Sequence, residues 1–364
     1  MEIHFFIPDV NPLGGRERVV LETARLFIQQ GHQVYLTSIE SANHDTCTYD
    51  IPPNLSIQHL NFGKHTHRRL LKIVYEIKLI FWLLKNIKSD RIYISTDVWS
   101  NLAFSVFRLF RKNTIIGCDH GAYGTGGPKV NWLKGIYRHL NALVVLTEED
   151  RNTYQQKNGL NNVCVIPNAL PFAAEHLPLP DYAAKKIITL GRFAPIKGYD
   201  LLIREIKPVL RQYPDWQLYI VGKGEMQQRL QDLIEAEQLQ GQVILQAAVK
   251  EVIPEYLSAS VYVCSSLKEG FPMTLLEAKS LGLPIVSYDC NHGPRHIIQH
   301  EQDGLLIPYR DAQQFAAALN RLLANETLRE QLGKAGKHNA AAYTPANIYQ
   351  KWRQLLEQVD NHGN

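Results

Sequence analysis

Twice along this chain, short apolar runs of strand length alternate with longer amphipathic stretches of helical period, and the second series begins where the first ends. The first places buried strands at residues 3–8, 33–38, 91–95, 114–118 and 142–146, with helices at 16–30 and 68–88 among the connections. The second places strands at 186–190, 217–221, 242–246, 261–265 and 284–288, each followed by a helical stretch. Parallel strands need a long return connection, usually a helix, so the alternation specifies α/β architecture with parallel sheets. Two series in 364 residues predict two Rossmann-like domains facing a central cleft. The stretch 171–180, PFAAEHLPLP, carries neither period and is rich in proline, which puts the break there. The expected division is a domain at 1–172, a linker at 173–184, a second domain at 185–344, and a terminal segment 345–364 whose residues 345–359 read as an amphipathic helix.

Charge is where composition adds information. The net charge is only +4, yet residues 61–140 hold fourteen Lys and Arg against four Asp and Glu, while 171–364 are balanced at twenty against twenty-one. A basic patch confined to the first half favours an anionic partner. Its densest part is 65–90, where Leu70, Val74, Ile77, Phe81 and Leu84 share a helical face and Arg68, Arg69, Lys72, Lys78, Lys85 and Lys88 supply charge. That pattern fits a helix lying on an anionic bilayer, and also a core helix with a solvated basic face. No apolar window reaches the length of a membrane span, and the start MEIHFFIPDVNPLGG lacks the long apolar core of a signal peptide. The five cysteines have no CxxC spacing, and their odd number predicts a reducing compartment without a disulfide framework.

Four loops are candidates for chemistry. In 8–24, PDVNPLGGRERVVLETA, Gly14 and Gly15 stand between a strand and a helix, where backbone N–H groups can approach an anion; a ligand-free turn would use the same glycines. In 188–198, ITLGRFAPIKG, Gly191 ends a strand and Arg192 and Lys197 follow five positions apart. A planar fork and a point charge both suit phosphate oxygens, although two surface cations beside a turn would look alike. In 265–278, SSLKEGFPMTLLEA, Glu269 lies in a turn, Pro272 suits the first position of a helix over 273–281, and Gly282 suits its C-cap. Glu277 then sits roughly 7–8 Å along the helix axis. Free helix N–H groups lie between the two carboxylates, so a diphosphate with hydroxyls on either side, the layout of a nucleotide-sugar, would fit. The other reading is a Glu complementing the helix dipole and a solvated Glu277. In 118–121, CDHG, His120 can donate to a sugar hydroxyl or phosphate, or make a structural hydrogen bond. His65, His67, His292 and His296 lack metal-ligand spacing. Neither half holds GxGxxG with an acidic residue about 20 positions on, which disfavours a dinucleotide dehydrogenase.

The succession GGRERV, VVLTEEDRNTY, VIPNAL, GRFAPIKGYDLLI, YIVGKGEMQQRL and SSLKEGFPMTLLEAKSLGLPIVSYD resembles the retaining glycosyltransferases of family 4 over nearly the whole chain. Its most specific element is E-x7-E, Glu269 to Glu277. The stretch Asp289-Cys290-Asn291-His292-Gly293-Pro294-Arg295-His296-Ile297-Ile298 is similar to a variant found in bacterial transferases that build lipopolysaccharide, teichoic acid or glycan chains from UDP-hexoses. Many relatives carry Glu before the paired isoleucines, where this chain has His296.

The resemblance implies the GT-B fold, with the last helix crossing back to the first domain. It implies transfer of a hexosyl or N-acetylhexosaminyl unit from a UDP-linked nucleotide-sugar to a glycolipid, lipid-linked or polysaccharide acceptor in bacterial surface-glycan synthesis, as for lipopolysaccharide, O-antigen or capsule. Arg192 and Lys197 would hold the donor diphosphate, Glu277 the ribose, and Glu269 the sugar, beside Gly191 and the backbone of Gly270, Phe271 and Pro272. Thr274 and Leu275 would offer N–H groups to phosphate, Gly14 and Gly15 would approach the diphosphate or acceptor, and His120 would touch the transferring sugar. Arg68, Arg69 and Lys72 would meet the acceptor or the anionic cytoplasmic face of the inner membrane. The nucleotide-sugar would be a co-substrate with no further cofactor. No DxD pair appears, so no metal is expected, and no nucleic-acid partner is expected either. The alternatives are a catalytically silent scaffold on the same fold, binding glycan or a partner enzyme, and a nucleotide-sugar epimerase or phosphorylase.

Overall fold

A computed structural model describes the chain except Leu13, Asp45, Thr46, Thr48, 64–68, Thr125, Gly126, Asn291 and 362–364; the side chains of 69–73 and 361 are also outside the description. It divides into two compact units, Met1–Pro171 with Pro345–Asn364, and Phe172–Thr344. Among the described residues no helix is long and apolar enough to cross a membrane.

The first unit is one parallel sheet with helices on both faces. In chain order it runs β1 (Glu2–Ile7), α1 (Gly15–Gln29), β2 (Gln33–Ser38), β3 (Ser56–His59), α2 (Arg69–Asn86) and β4 (Ile92–Ser95). It continues with α3 (Val98–Phe107), β5 (Thr114–Asp119), α4 (Gly127–Leu133), β6 (Ala142–Val145), α5 (Glu148–Asn158) and β7 (Val163–Val165). The strand order is β3-β2-β1-β4-β5-β6-β7, every pair parallel. Alternation along β1 sorts its side chains: Ile3, Phe5 and Ile7 join the core under α1, and Phe6 joins the core under α2 and α3.

The second unit repeats the plan. It contains β8 (Lys186–Leu190), α6 (Tyr199–Gln212), β9 (Gln217–Gly222), α7 (Gln227–Ala236), β10 (Val243–Ala247), α8 (Ile253–Leu257) and β11 (Val261–Cys264). Then follow α9 (Met273–Ser280), β12 (Ile285–Tyr288), β13 (Leu305–Ile307), α10 (Ala312–Ala324) and α11 (Glu326–Ala340). Its parallel order is β10-β9-β8-β11-β12-β13. The proline-rich stretch is docked on this unit: Tyr182 donates to the Gly282 carbonyl at 2.8 Å, and the buried Arg329 guanidinium donates to the Tyr182 carbonyl at 2.9 and 2.6 Å.

The last helix, α12 (Pro345–Asn361), belongs to the first unit. Its buried residues Ile348, Tyr349, Trp352, Leu355, Leu356 and Val359 recur at helical spacing and extend the core under α1. Trp352 meets Phe27 edge-on with centroids 5.5 Å apart, and His32 shares a 2.8 Å hydrogen bond with the Tyr349 hydroxyl.

Candidate functional site

In the second sheet the chain order reverses between β8, which pairs onward to β9, and β11, which pairs onward to β12. Loops leaving the carboxyl ends of such strands diverge and open a crevice, the usual ligand position in an open α/β sheet. Here those loops are Gly191–Gly198 and Ser265–Pro272, the two segments that carry Arg192, Lys197 and Glu269.

Backbone contacts fix the first loop. Phe193 N–H donates to the Lys223 carbonyl at 2.9 Å and Met226 N–H to the Phe193 carbonyl at 3.0 Å. The approach needs Gly222, because a Cβ there would lie 1.9 Å from the Gly191 oxygen. A short 3-10 turn, Pro195–Lys197, ends at Gly198 with φ +64°. A Cβ on Gly198 would come within 2.4 Å of the Ser265 carbonyl oxygen. Across this contact Ser265 Oγ donates to the Lys197 carbonyl at 2.9 Å, and Leu267 N–H to the Ile196 carbonyl at 2.8 Å. The two loops are thereby tied together with Lys197 at the joint.

Lys197 Nζ donates to Glu269 Oε1 at 2.6 Å, and Ser266 Oγ donates to the same oxygen at 2.7 Å. Burial pulls the Lys197 ammonium down, but the Glu269 carboxylate and its hydrogen bond more than offset this, so the net shift is upward. Arg192 is exposed, with no hydrogen-bond or ion-pair partner for its side chain among the described residues. Gly191 leaves room for the lysine stem: a Cβ there would lie 3.3 Å from Lys197 Cε and 2.6 Å from Tyr199 Oη.

The Glu269 turn leads into α9, which starts at Met273 as the sequence predicts. Pro272 is the N-cap, not the first helical residue, and no side chain caps this end. Phe271 is buried against Tyr343, ring centroids 5.7 Å apart. Thr274 Oγ1 accepts from Tyr262 Oη at 3.0 Å, and Leu275 is in the core. Glu277 is not solvated: it has no exposed surface, and its Oε2 accepts from Tyr256 Oη at 3.0 Å. The structure therefore brings Lys197 and Glu269 into contact and places Glu277 on the interior side of α9. Arg295, whose role the sequence leaves open, makes a bidentate pair with Asp289 at 2.8 and 3.0 Å, and the His296 carbonyl accepts from Tyr343 Oη at 3.0 Å.

In the first unit Gly14 is the extended N-cap of α1. The buried Glu17 carboxylate lies over it: a Cβ on Gly14 would come within 2.0 Å of Glu17 Oε2. Arg16 donates to Glu17 Oε1 at 3.2 and 3.1 Å, while Gly15 borders open space. His120 lines a cavity of about 20 Å³ with Cys118, Asn168 and Trp352, room for about one water. Burial, then the Arg16 guanidinium, pushes the imidazole down to about 4, so it is neutral at neutral pH. Neighbouring Asp119 is engaged, accepting from Lys134 at 2.8 Å and from the Tyr154 hydroxyl. Arg68 lies outside the described residues, as do the side chains of Arg69 and Lys72.

Sequence reasoning missed Gly198, Ser266, Tyr256 and Glu17. Gly198 and Ser266 had local signals, a glycine ending the cation turn and a serine three residues before Glu269. Tyr256 had none, because α8 reaches α9 only through the fold.

A parallel sheet repeated twice, with a cation–carboxylate pair at the reversal point of the second, defines a two-domain α/β protein suited to a phosphorylated ligand. Residues 13–172 match Glycosyltransferase Family 4 and residues 179–339 match Glycosyl transferases group 1. The amylovoran biosynthesis glycosyltransferase AmsD of Erwinia amylovora is 32% identical over 358 residues, covering 96% of this chain and 98% of that protein. The chain belongs to the family 4 glycosyltransferases and has their GT-B fold. Among solved structures, TarM of S. aureus in complex with fondaparinux, alpha-GlcNAc-glycerol and UDP aligns with a TM-score of 0.81 at 16% identity, over 97% of this chain and 99% of that one. Anabaena HepE in complex with UDP and glucose aligns at 0.76 and 15% identity, over 98% and 100%.

Proposed function

We propose that this glycosyltransferase is a retaining, metal-independent enzyme that moves a hexosyl or N-acetylhexosaminyl unit from a UDP-linked donor to a lipid-linked or polysaccharide acceptor of a bacterial surface glycan. The observation that carries the reading is the Lys197–Glu269 pair at the sheet reversal, beside the uncapped start of α9. Breaking the bond between the sugar and the diphosphate leaves negative charge on the departing nucleotide. Lys197, Arg192 and the N–H groups of Thr274 and Leu275 stabilise that charge. Glu269 accepts from donor sugar hydroxyls beside Gly191 and the backbone of Gly270, Phe271 and Pro272.

Glu277 serves the ribose. A carboxylate accepts about four hydrogen bonds, so ribose hydroxyls can join the Tyr256 hydroxyl as donors to it. The acceptor hydroxyl attacks the anomeric carbon from the face that the diphosphate leaves, and its proton departs with the diphosphate. His120, as a neutral imidazole, hydrogen-bonds the transferring sugar, and the Gly14–Gly15 turn serves the diphosphate or the acceptor. The acceptor's lipid places the enzyme peripherally on the cytoplasmic face of the inner membrane, with Arg68, Arg69 and Lys72 toward that surface.

The names of AmsD and the contents of the TarM and HepE complexes support a sugar–UDP donor and a surface-glycan product. A nucleotide-sugar panel read by thermal protection, followed by product analysis, tests it. Protection by UDP-sugars and acceptor-dependent UDP release with retained configuration are expected. Turnover without any acceptor would point to an epimerase or phosphorylase, and protection by no nucleotide-sugar would refute the reading.

A further inference from the structure

Tyr199 opens α6 and is 3% exposed, with its ring edge-on to Phe193 at 6.1 Å between centroids. Packing alone would be served as well by phenylalanine. The hydroxyl is sealed from solvent without a hydrogen-bond partner, the one tyrosine hydroxyl in that condition among the described residues. Other interior tyrosines of the second unit are matched. Tyr256 donates to Glu277 and Tyr262 to Thr274, each at 3.0 Å, and Tyr288 donates to Glu205 at 2.8 Å. The Thr189 hydroxyl lies beside Tyr199 Oη but outside hydrogen-bond geometry. A buried polar atom left unmatched costs folding free energy, so its retention calls for a reason.

The position of the hydroxyl supplies one. A Cβ on Gly191 would lie 2.6 Å from Tyr199 Oη and 3.3 and 3.6 Å from Lys197 Cε and Cδ, so the hydroxyl and the lysine stem share one side of Gly191. The Lys197 ammonium has three N–H donors, and Glu269 is its only partner among the described residues. Glu269 is also the carboxylate assigned to the donor sugar. Once sugar hydroxyls donate to Glu269 and the ammonium turns to the diphosphate, the lysine gives up the acceptor that holds it. A neutral oxygen beside its stem can take over without drawing the positive charge away from the phosphates. Burial pushes the phenol up, against the pull of Lys197, so it stays protonated and uncharged.

We propose that Tyr199 is a positioning residue for the transfer: its hydroxyl accepts from the Lys197 ammonium while Lys197 serves the departing diphosphate. This role rests on the assignment of Lys197 to the donor diphosphate. Tyr199→Phe removes only the hydroxyl, and steady-state UDP release beside thermal melts tests it. Because no partner is lost, the variant should melt no lower than wild type. Its kcat should fall by about 10- to 100-fold, the worth of one hydrogen bond to a charged group, with the donor KM little changed. In a Lys197→Ala background the same substitution should cost no further turnover, because the hydroxyl acts only through the ammonium. A melt below wild type would make the hydroxyl a structural partner of Thr189 and overturn the proposal. An equal further loss of turnover in the Lys197→Ala background would overturn it too. Wild type without UDP-sugar turnover would refute the donor reading and this role with it. An active wild type beside an equally active Tyr199→Phe variant would refute this role alone.

Discussion

Replacing Lys197 by alanine perturbs stability and chemistry by amounts that can be worked separately. The ammonium lies 2.6 Å from Glu269, with side chains 22% and 14% exposed. An exposed pair contributes about 1 kcal/mol or less, and breaking a fully buried one costs about 3–5 kcal/mol. At this partial burial the loss is about 2 kcal/mol, or roughly 4–8 °C for a unit of this size. Its pH dependence has a defined sign, because the folded ammonium is held above its unfolded value. The stabilisation is complete below about 10.4, the ordinary lysine value, and is lost only as pH rises through the still higher folded value. At neutral pH the alanine variant therefore shows the whole deficit. Losing one preset donor to a departing anion lowers kcat by about 10²–10³-fold. Steady-state UDP release at saturating donor, beside a thermal melt, reads both quantities. Turnover within about tenfold of wild type, together with the full loss of stability, would make Lys197 a structural ion-pair member and refute the assignment.

Gly198→Ala combines a left-handed φ with a Cβ 2.4 Å from a backbone oxygen, whereas Gly31→Ala meets φ +81° in open space. The Gly31 variant should lose about 1 kcal/mol and the Gly198 variant more, together with turnover; equal losses in denaturant melts would contradict the clamp. His4, lowered to about 3 by burial and then by Arg91, and His120, lowered to about 4, are neutral when folded and take up protons when unfolded below about 6.5. Their stabilisation is complete above that pH and falls as pH drops toward their folded values, at up to about 1.4 kcal/mol per pH unit for each ring. Denaturant midpoints of the double variant His4→Gln, His120→Gln should therefore be less pH-sensitive than wild type over that window, and an unchanged slope would refute this. Trp352→Ala should cost about 3–5 kcal/mol in the first unit while UDP-sugar protection persists; a wild-type melt would show that α12 adds little.

What the sequence disclosed and what it hid divide along physical lines. Central strands such as β4, β6, β11 and β12 are buried throughout, so their apolar runs stood out. The strands β3, β7 and β13 sit at sheet edges and have three or four residues each, too short to set a period. On α2, spacing grouped Leu70, Val74, Ile77, Phe81 and Leu84 on one face; Val74, Ile77 and Phe81 are exposed, whereas Leu84 packs against the core. Periodicity could not tell that Tyr75, Leu79 and Leu83 would be the face turned inward. Glu269 was visible as a carboxylate in a turn before a helix. Its partner lies 72 positions earlier, and only the adjacency of β8 and β11 brings the two together. Glu277 was placed correctly along α9, but local sequence says nothing about Tyr256 covering its side.

The two sheets reverse their strand order in the same way, yet the helix starts beside the two reversals are filled differently. In the first unit both helix starts beside the reversal carry internal carboxylates. Glu17 lies over Gly14 at α1, and Asp97 caps α3 by accepting from Trp99 N–H at 2.9 Å and Ser100 N–H at 3.3 Å. In the second unit the N-caps Gly198 of α6 and Pro272 of α9 make no side-chain cap; Asp200 lies in the first turn of α6, the first turn of α9 has no acidic residue, and Lys197 and Arg192 precede α6. A helix start already holding a carboxylate repels a second anion, whereas an open one attracts it. Of the four helix starts, that of α9 has neither a side-chain cap nor an acidic residue in its first turn, which makes it the best suited to a diphosphate. Of the two roles proposed for the Gly14–Gly15 turn, the acceptor fits better than the diphosphate, because a hydroxyl can donate to the Glu17 carboxylate. Glycines in a strand-to-helix turn mark where backbone can come close to a ligand; the carboxylate three residues later decides which ligand it can be.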